Sequence, residues 1–204
     1  MVNILVLNGS PRAPRSNSKR YAELFCKDCT AQTQYCNLSP SNHVEICEKL
    51  SDFSDVLLVF PLYADALPVS LLNFLKVLEQ HPPKQKPVVS VLINCGFIEH
   101  QQNDIAVRMI ELFCKQNGYR FGSVLKIGSG EAILDTPFAG LAARKIKRLA
   151  TSIVNAKYQT LHITMPLTKR MFVRASTTYW VNYGKKNGVT REQMQTMQIE
   201  SASR

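Results

Sequence analysis

The stretch LNGSPRAPRSNSKRYAELF, residues 7–25, joins the end of an apolar run to the beginning of a helical pattern. The run VNILVLN, residues 2–8, ends at Gly9, which is typical of a buried strand. Residues 18–29 then repeat large side chains at helical spacing: Tyr21, Leu24, Phe25 and Cys29. The stretch therefore predicts a strand, a loop and a helix, the unit from which α/β folds are built.

The rest of the chain continues this alternation of strands and helices. Further strands are predicted at about residues 32–38, 55–60, 88–94 and 119–127. Further helices are predicted at about residues 43–50, 68–78, 103–115 and 138–156. Strands that are apolar on both faces and alternate with helices favour a parallel sheet covered by helices on both sides. We therefore predict a doubly wound α/β domain.

The chain has 204 residues, enough for one substantial core. We predict that residues 1–156 form this domain and that residues 157–204 form a basic C-terminal extension. The extension is expected to pack on the core or on a partner subunit. Its last four residues, SASR, are predicted to be disordered.

The loop at residues 9–18 carries hydroxyl groups and two arginines, Arg12 and Arg15. It lacks the glycine spacing of a dinucleotide site and the glycine-lysine-hydroxyl ending of a triphosphate loop. Hydroxyl groups and free N–H groups at a helix start suit a phosphate monoester. The alternative is that Ser16 or Asn17 only caps the helix. Two other segments, residues 61–67 and 94–97, also follow strands, where ligands bind in such sheets.

Three motifs at successive strand ends carry a resemblance to a known family. NGSPR followed by SNS, then FPLYADALP, then NCGF resemble the flavodoxin-like NAD(P)H-dependent FMN reductase and flavoprotein oxidoreductase family. The likeness covers about residues 1–150 and continues weakly into KKNGVT. It implies a flavodoxin-like five-stranded parallel sheet of order 2-1-3-4-5.

The resemblance also implies that FMN is bound without a covalent link. Its phosphate loop matches Ser10, Arg12, Ser16, Asn17 and Ser18. The loop along the flavin ring matches Pro61, Leu62, Tyr63, Ala64 and Asp65, and the third loop matches Asn94, Cys95, Gly96 and Phe97.

Alternatives remain open for the second and third loops. Tyr63 and Leu62 could merely cover the sheet end, and Gly96 could form an ordinary turn. Cys95 stands where a small hydroxyl residue would be unsurprising, which puts a side-chain hydrogen bond to the ring in doubt. The segment 128–131, GSGE, could line the pocket or form the turn into the last helix.

The implied activity is hydride transfer from NADPH or NADH through FMN to a small acceptor: a quinone, a nitro or azo compound, a metal ion or free flavin. No residue is assigned a catalytic role, because the electron chemistry belongs to the cofactor. The four histidines are scattered, and His100 is interpreted as a surface residue. Two rival interpretations are a flavodoxin-type electron carrier and an adaptor that binds nucleic acid or a membrane surface through the basic tail.

The charge limits the possible binding partners of the protein, and the cysteine content limits the possible cellular compartment. The formal net charge of +10 favours anionic partners, but a basic helix face at residues 144–148 and a basic tail explain most of it without nucleic acid. Six cysteines are expected to be reduced thiols, and neither a metal nor an iron–sulfur cluster is predicted. No apolar run is long enough to span a membrane, and no secretory signal is recognised. We expect a soluble, cytoplasmic homo-oligomer, either a dimer or a tetramer.

Overall fold

The computed structural model describes residues 2–13 and 15–196. The described residues form two compact units that divide between Met165 and Pro166. The predicted disorder of residues 201–204 lies outside the described residues.

The first unit is built on a parallel sheet of six strands. They are β1 (Asn3–Asn8), β2 (Gln32–Asn37), β3 (Asp55–Pro61), β4 (Val88–Asn94), β5 (Phe121–Ile127) and β6 (Thr160–Ile163). Their order in the sheet is β2-β1-β3-β4-β5-β6, and every neighbouring pair is parallel. The predicted order 2-1-3-4-5 is therefore confirmed for the first five strands.

The predicted number of strands, five, is wrong, because β6 adds a sixth at the edge next to β5. This strand lies within the segment that was assigned to the C-terminal extension. It has four residues, of which only Leu161 is buried. So short an edge strand lacks the continuous apolar run by which the inner strands were recognised.

Five helices of the first unit cover the sheet: α1 (Asn17–Asp28), α2 (His43–Lys49), α3 (Val69–Gln80), α4 (Asp104–Gln116) and α5 (Ala139–Val154). One core cluster joins α2, α3 and α4 to alternate strand residues such as Leu58. The helices α1 and α5 contact each other and the strands. They cover the other face, toward which buried residues such as Leu57 point, because successive side chains of a strand alternate in direction.

All six cysteines lie in the described residues and are free. Burial raises the pKa of the Cys47 thiol to about 11 and that of the Cys114 thiol to about 12. Both are core residues that stay protonated at neutral pH. Across the described residues, no group of three or more His, Cys, Asp and Glu side chains is arranged to hold a metal ion.

The described part of the second unit, residues 166–196, contains two helices, α6 (Lys169–Lys186) and α7 (Arg191–Met194). Thr168 caps α6 by accepting a hydrogen bond from the N–H of Met171 at 3.3 Å. Gly188, with φ of +76°, turns the chain after α6, and Thr190 begins α7 with a capping box. Packing of this segment on the core or on a partner subunit stays a prediction. Among the described residues, no helix is both long enough and apolar enough to cross a bilayer.

Candidate functional site

A cavity of about 560 Å³ opens at the carboxyl ends of β1, β3 and β4. All the predicted site residues except Ala64, Asp65 and Phe97 line it: Ser10, Arg12, Ser16, Asn17, Ser18, Pro61, Leu62, Tyr63, Asn94, Cys95 and Gly96. The three loops that the sequence separates by about 30 to 50 residues each therefore meet around one space. Their predicted role in holding a cofactor stays a prediction.

Asn8, at the end of β1, fixes the shape of the first loop. It is fully buried, and its Oδ1 accepts a hydrogen bond from the N–H of Ser10 at 3.0 Å. Its two Nδ2 protons are shared among three acceptors: Asn37 Oδ1 at 3.1 Å, Tyr35 Oη at 2.9 Å and Ser16 Oγ at 3.4 Å. One buried amide thus joins both ends of the loop to the neighbouring strand β2.

Three serine hydroxyls of this loop all act as acceptors within the protein. Ser10 Oγ accepts the N–H two residues later at 3.3 Å, and Ser16 Oγ accepts the N–H three residues later at 3.2 Å. Ser18 Oγ accepts from Asn94 Nδ2 at 3.1 Å. Because a hydroxyl carries one proton beside its acceptor lone pairs, each of the three can still donate to an anion.

Ser16 is the N-cap of α1, as the simpler of the two interpretations predicts. Its backbone is extended, with φ of −142° and ψ of 156°, and its side chain accepts from Lys19 N. Capping uses the oxygen as an acceptor and leaves the proton free. The N-cap role and a phosphate-binding role are therefore compatible.

Positive side chains outnumber negative ones around the cavity. Those that line it are Arg12, Arg15, Lys19 and Arg20 against Glu23 and Glu131. Arg20 is held by two hydrogen bonds to Asp135, at 2.6 and 3.0 Å, and this contact lowers the pKa of the Asp135 carboxyl. The positive charge suits an anionic group at the start of α1, where the helix dipole also favours negative charge.

The second loop turns sharply after β3. Tyr63 and Ala66 exchange backbone hydrogen bonds at 3.0 and 3.1 Å across a two-residue turn. Ala64 and Asp65 occupy this turn with positive φ angles of 47° and 58°, the pattern of a type I′ turn. They form the tip of the loop, which explains why they do not line the cavity.

Tyr63 and Leu62 differ in how they contribute to this loop. Tyr63 is 52% exposed, so it covers little of the sheet end and presents an aromatic surface. Leu62 packs against the core cluster, as the interpretation of it as a cover for the sheet end predicts. Its backbone N–H donates to Asn94 O at 2.7 Å, which joins the second loop to β4.

Asn94, at the end of β4, connects all three loops. Its side chain is buried, and Nδ2 donates to Ser18 Oγ in the first loop and to Phe60 O at 3.2 Å in β3. The next residue, Cys95, lines the cavity, but its thiol is engaged by Asn103 Nδ2 at 3.3 Å. Burial raises the pKa of this thiol. The thiol also donates within the protein, to Phe97 O at 3.8 Å, so a side-chain hydrogen bond from Cys95 to a ligand is disfavoured.

Gly96 and Phe97 complete the third loop. A Cβ on Gly96 would meet Glu131 Oε2 at an ordinary 3.8 Å, so the protein itself leaves room for a side chain there. Phe97 is 50% exposed and lies outside the cavity lining.

The segment 128–131 both forms a turn and contributes to the cavity. Gly130 N donates to Cys95 O at 2.7 Å, and Tyr21 Oη donates to Gly130 O at 2.6 Å. Asn17 Nδ2 donates to Glu131 O at 3.1 Å, and the Glu131 side chain lines the cavity. Ala132 N donates to Ser129 O at 3.1 Å, which turns the chain, so both proposed roles of this segment are present.

Some lining residues were not singled out from the sequence: Pro11, Lys19, Arg20 and Glu23. The last two lie four and seven residues after Ser16, and such spacing places residues on one face of a helix. The sequence alone does not show that this face of α1 is the one turned toward the cavity, because it does not show the direction of the Ser16 side chain. His100 is not among the lining residues and stacks on His162, with 4.2 Å between ring centroids.

We expect Tyr21→Phe to lower the free energy of unfolding by about 1–3 kcal/mol, because it leaves the buried carbonyl of Gly130 without its donor. Tyr21 is fully buried, and burial raises the pKa of its hydroxyl, so the donor is present at any pH used for folding studies. Urea unfolding measures the change. Tyr63→Phe, at an exposed position, is the matched control. Equal stability of the two variants would contradict the assigned hydrogen bond.

Comparison with models of protein families gives no match, and comparison with curated protein sequences gives none. Solved structures do match. An FMN-dependent NADH-azoreductase from Bacillus anthracis, in complex with FMN, has 11% identity and a TM-score of 0.59, over 75% of this chain and 99% of that chain. An NAD(P)H:quinone oxidoreductase from Methanothermobacter marburgensis has 12% identity and a TM-score of 0.56, over 78% of this chain and 98% of that chain.

A flavodoxin from Streptococcus pneumoniae has 11% identity and a TM-score of 0.55, over 76% of this chain and 99% of that chain. At identities this low, the likeness concerns the fold. The chain has a flavodoxin-like fold, which confirms the fold class that the three motifs implied but not the number of strands.

Proposed function

We propose that the protein is an FMN-dependent NAD(P)H oxidoreductase. It takes reducing equivalents from NADPH or NADH and passes them to a small acceptor, such as a quinone, a nitro or azo compound, a metal ion or free flavin. The observation that carries the proposal is the meeting of the three loops around one cavity. A flavin phosphate needs hydrogen-bond donors and positive charge, and this cavity has both at the start of α1.

The residues present fit FMN. The cavity, at about 560 Å³, lies within the range of roughly 300–1,000 Å³ usual for small-molecule sites. The phosphate would be held by Ser10, Ser16 and Ser18, with Arg12 near it, and the ring by the loops that contain Tyr63 and Gly96. When bound, FMN would supply hydride acceptance and electron donation, chemistry that no side chain provides.

The chain's own residues would bind and orient the substrates. Tyr63 would offer its exposed ring to a flat aromatic ligand, and the loops that Asn94 connects would keep the two ends of the cavity in a fixed relation. No side chain is proposed as an acid or a base. Two proteins of similar fold are named as an azoreductase and a quinone oxidoreductase, which supports the assignment of this protein to the reductases.

Anaerobic reduction tests the proposal directly. Purified protein loaded with FMN is mixed with NADPH or NADH in the absence of oxygen, and the visible absorbance of oxidised flavin is followed. We expect rapid bleaching by at least one of the two nucleotides, and recovery of the absorbance when a quinone is added. Failure to take up FMN would contradict the proposed cofactor.

The second candidate is a flavodoxin-type electron carrier, favoured by the similarity to a flavodoxin. In that case FMN binds, but bleaching requires a separate reductase. The net charge of +10 argues against it, because such carriers are usually acidic and dock on basic partners. We further propose that the reductase is a cytoplasmic homo-oligomer without a nucleic-acid partner.

A further inference from the structure

The second unit carries an unusually one-sided charge. Its described residues, 166–196, contain one acidic side chain, Glu192, and six basic ones: Lys169, Arg170, Arg174, Lys185, Lys186 and Arg191. All six basic residues are exposed. Arg170, Arg174 and Lys185 are spaced by 4 and 11 residues, which places them on one side of α6.

A different side of α6 presents an aromatic cluster, Tyr179, Trp180 and Tyr183. The ring centroids lie 5.1 Å apart for Tyr179 and Trp180, 5.8 Å for Trp180 and Tyr183, and 6.4 Å for Tyr179 and Tyr183. These side chains are 42%, 44% and 53% exposed. Large aromatic side chains with this much exposure mark a surface for interaction.

The packing of α7 on α6 extends this apolar surface. Between the two helices lies a groove of about 350 Å³, lined in part by Phe172, Val173, Trp180 and Met194. Val173 and Met194 are 62% and 41% exposed. The helix pair therefore leaves part of its own apolar surface exposed.

Charge indicates which partner fits this surface. Residues 1–165 carry eighteen Lys and Arg against thirteen Asp and Glu, so both units are positive. A second copy of the chain would bring positive charge to positive charge. A nucleic-acid duplex would neutralise the cations but offers no apolar medium for the aromatic cluster. An anionic phospholipid surface provides both negative charge and an apolar interior.

We propose that α6 binds the surface of an anionic phospholipid bilayer. Tyr179, Trp180 and Tyr183 enter the boundary between headgroups and acyl chains, where amphipathic aromatic rings are favoured. The basic residues on the other side of the helix contact lipid phosphates, the arrangement of amphipathic helices that lie in the plane of the bilayer interface. The helix lies along the surface, in keeping with the finding that no described helix is both long enough and apolar enough to cross a bilayer.

Trp180 is the single tryptophan of the chain and therefore a built-in reporter. The full-length protein is titrated with vesicles of phosphatidylcholine alone and of phosphatidylcholine mixed with phosphatidylglycerol. We expect a blue shift of Trp180 emission and cosedimentation with the mixed vesicles, and much less of both with phosphatidylcholine alone. Raising the salt concentration should weaken binding, because salt screens exposed charges.

A matched pair of variants distinguishes vesicle binding through the surface of α6 from binding through the net charge of the whole protein. Lys185→Glu with Lys186→Glu should weaken binding to the mixed vesicles at least about tenfold. Lys147→Glu with Arg148→Glu, at exposed positions of α5, changes the net charge equally and should leave binding within about twofold. Trp180→Ala with Tyr183→Ala, followed by cosedimentation, should weaken binding while all cations remain.

Each opposite outcome overturns the proposal. The proposal is wrong if the protein does not bind the mixed vesicles, or if both charge-reversal variants lose vesicle binding equally. It is also wrong if the protein binds a DNA duplex as tightly as the mixed vesicles, or if the Trp180 emission shifts with protein concentration in the absence of lipid. The last result would identify a second copy as the partner. Flavin uptake and anaerobic bleaching do not involve these residues, so failure here leaves the proposed function unaffected.

Discussion

Ser16→Asp is expected to lower the affinity for FMN at least about a hundredfold while leaving α1 intact. Aspartate is as good an N-cap as serine, and a negative charge at a helix start is favourable. The same charge beside a phosphate is repulsive: two like charges about 4 Å apart near a protein surface repel by about 4 kcal/mol. The substitution therefore separates the two roles that the structure permits for Ser16.

The measurement is titration of the flavin-free protein with FMN and, in parallel, with riboflavin, which lacks the phosphate. Riboflavin affinity should change little, and the free energy of unfolding in urea should stay within about 0.5 kcal/mol of the parent protein. Thr168→Asp, at the N-cap of α6, is the matched control and should leave FMN affinity unchanged. An unchanged FMN affinity in Ser16→Asp would mean that Ser16 is only a cap.

Gly128→Ala is expected to lower the free energy of unfolding by about 3 kcal/mol. A Cβ at this position would lie 2.8 Å from Ile98 O, 2.9 Å from Thr164 Oγ1 and 3.1 Å from His100 N. Two of these three atoms belong to the backbone, so the strain cannot be relieved by rotating a side chain. The two backbone atoms belong to the segment that directly follows the third loop, so a shift there should reduce FMN uptake as well.

The matched control is Gly140→Ala on α5, where a Cβ would have no neighbour within 4 Å. Alanine there should stabilise the protein by up to about 1 kcal/mol, since glycine is a poor helix former. Urea unfolding of both variants measures the difference. Equal stability of the two variants would show that the loop moves freely to accept the extra methyl group.

Elements with strong periodicity were predictable from the sequence. The strand at residues 88–94 was predicted with the bounds that the structure has, and α1 within one residue at each end. The strand β6 was missed because only one of its four residues is buried. The helix α6 was not recognised, since its basic and apolar residues alternate too closely for a clean amphipathic pattern.

The candidate site was predictable in outline but not in detail. Parallel strands bring their carboxyl ends to one edge, so the meeting of the three loops followed from the fold class. The direction in which each side chain points did not follow from the fold class. The type I′ turn removes Ala64 and Asp65 from the cavity, and Asn103 holds the Cys95 thiol in the protein. Both effects depend on contacts between residues whose proximity the sequence pattern does not reveal.

The two edges of the sheet have a consequence for self-association. β6 has four residues with Thr160 and His162 exposed, and β2 carries exposed Gln32 and Gln34. Short or polar edge strands are poor templates for adding a strand from another molecule. Growth of the sheet by backbone pairing is therefore disfavoured at both edges. We expect any homo-oligomer of this protein to assemble through helices and loops rather than through domain-swapped or fibrillar pairing of strands.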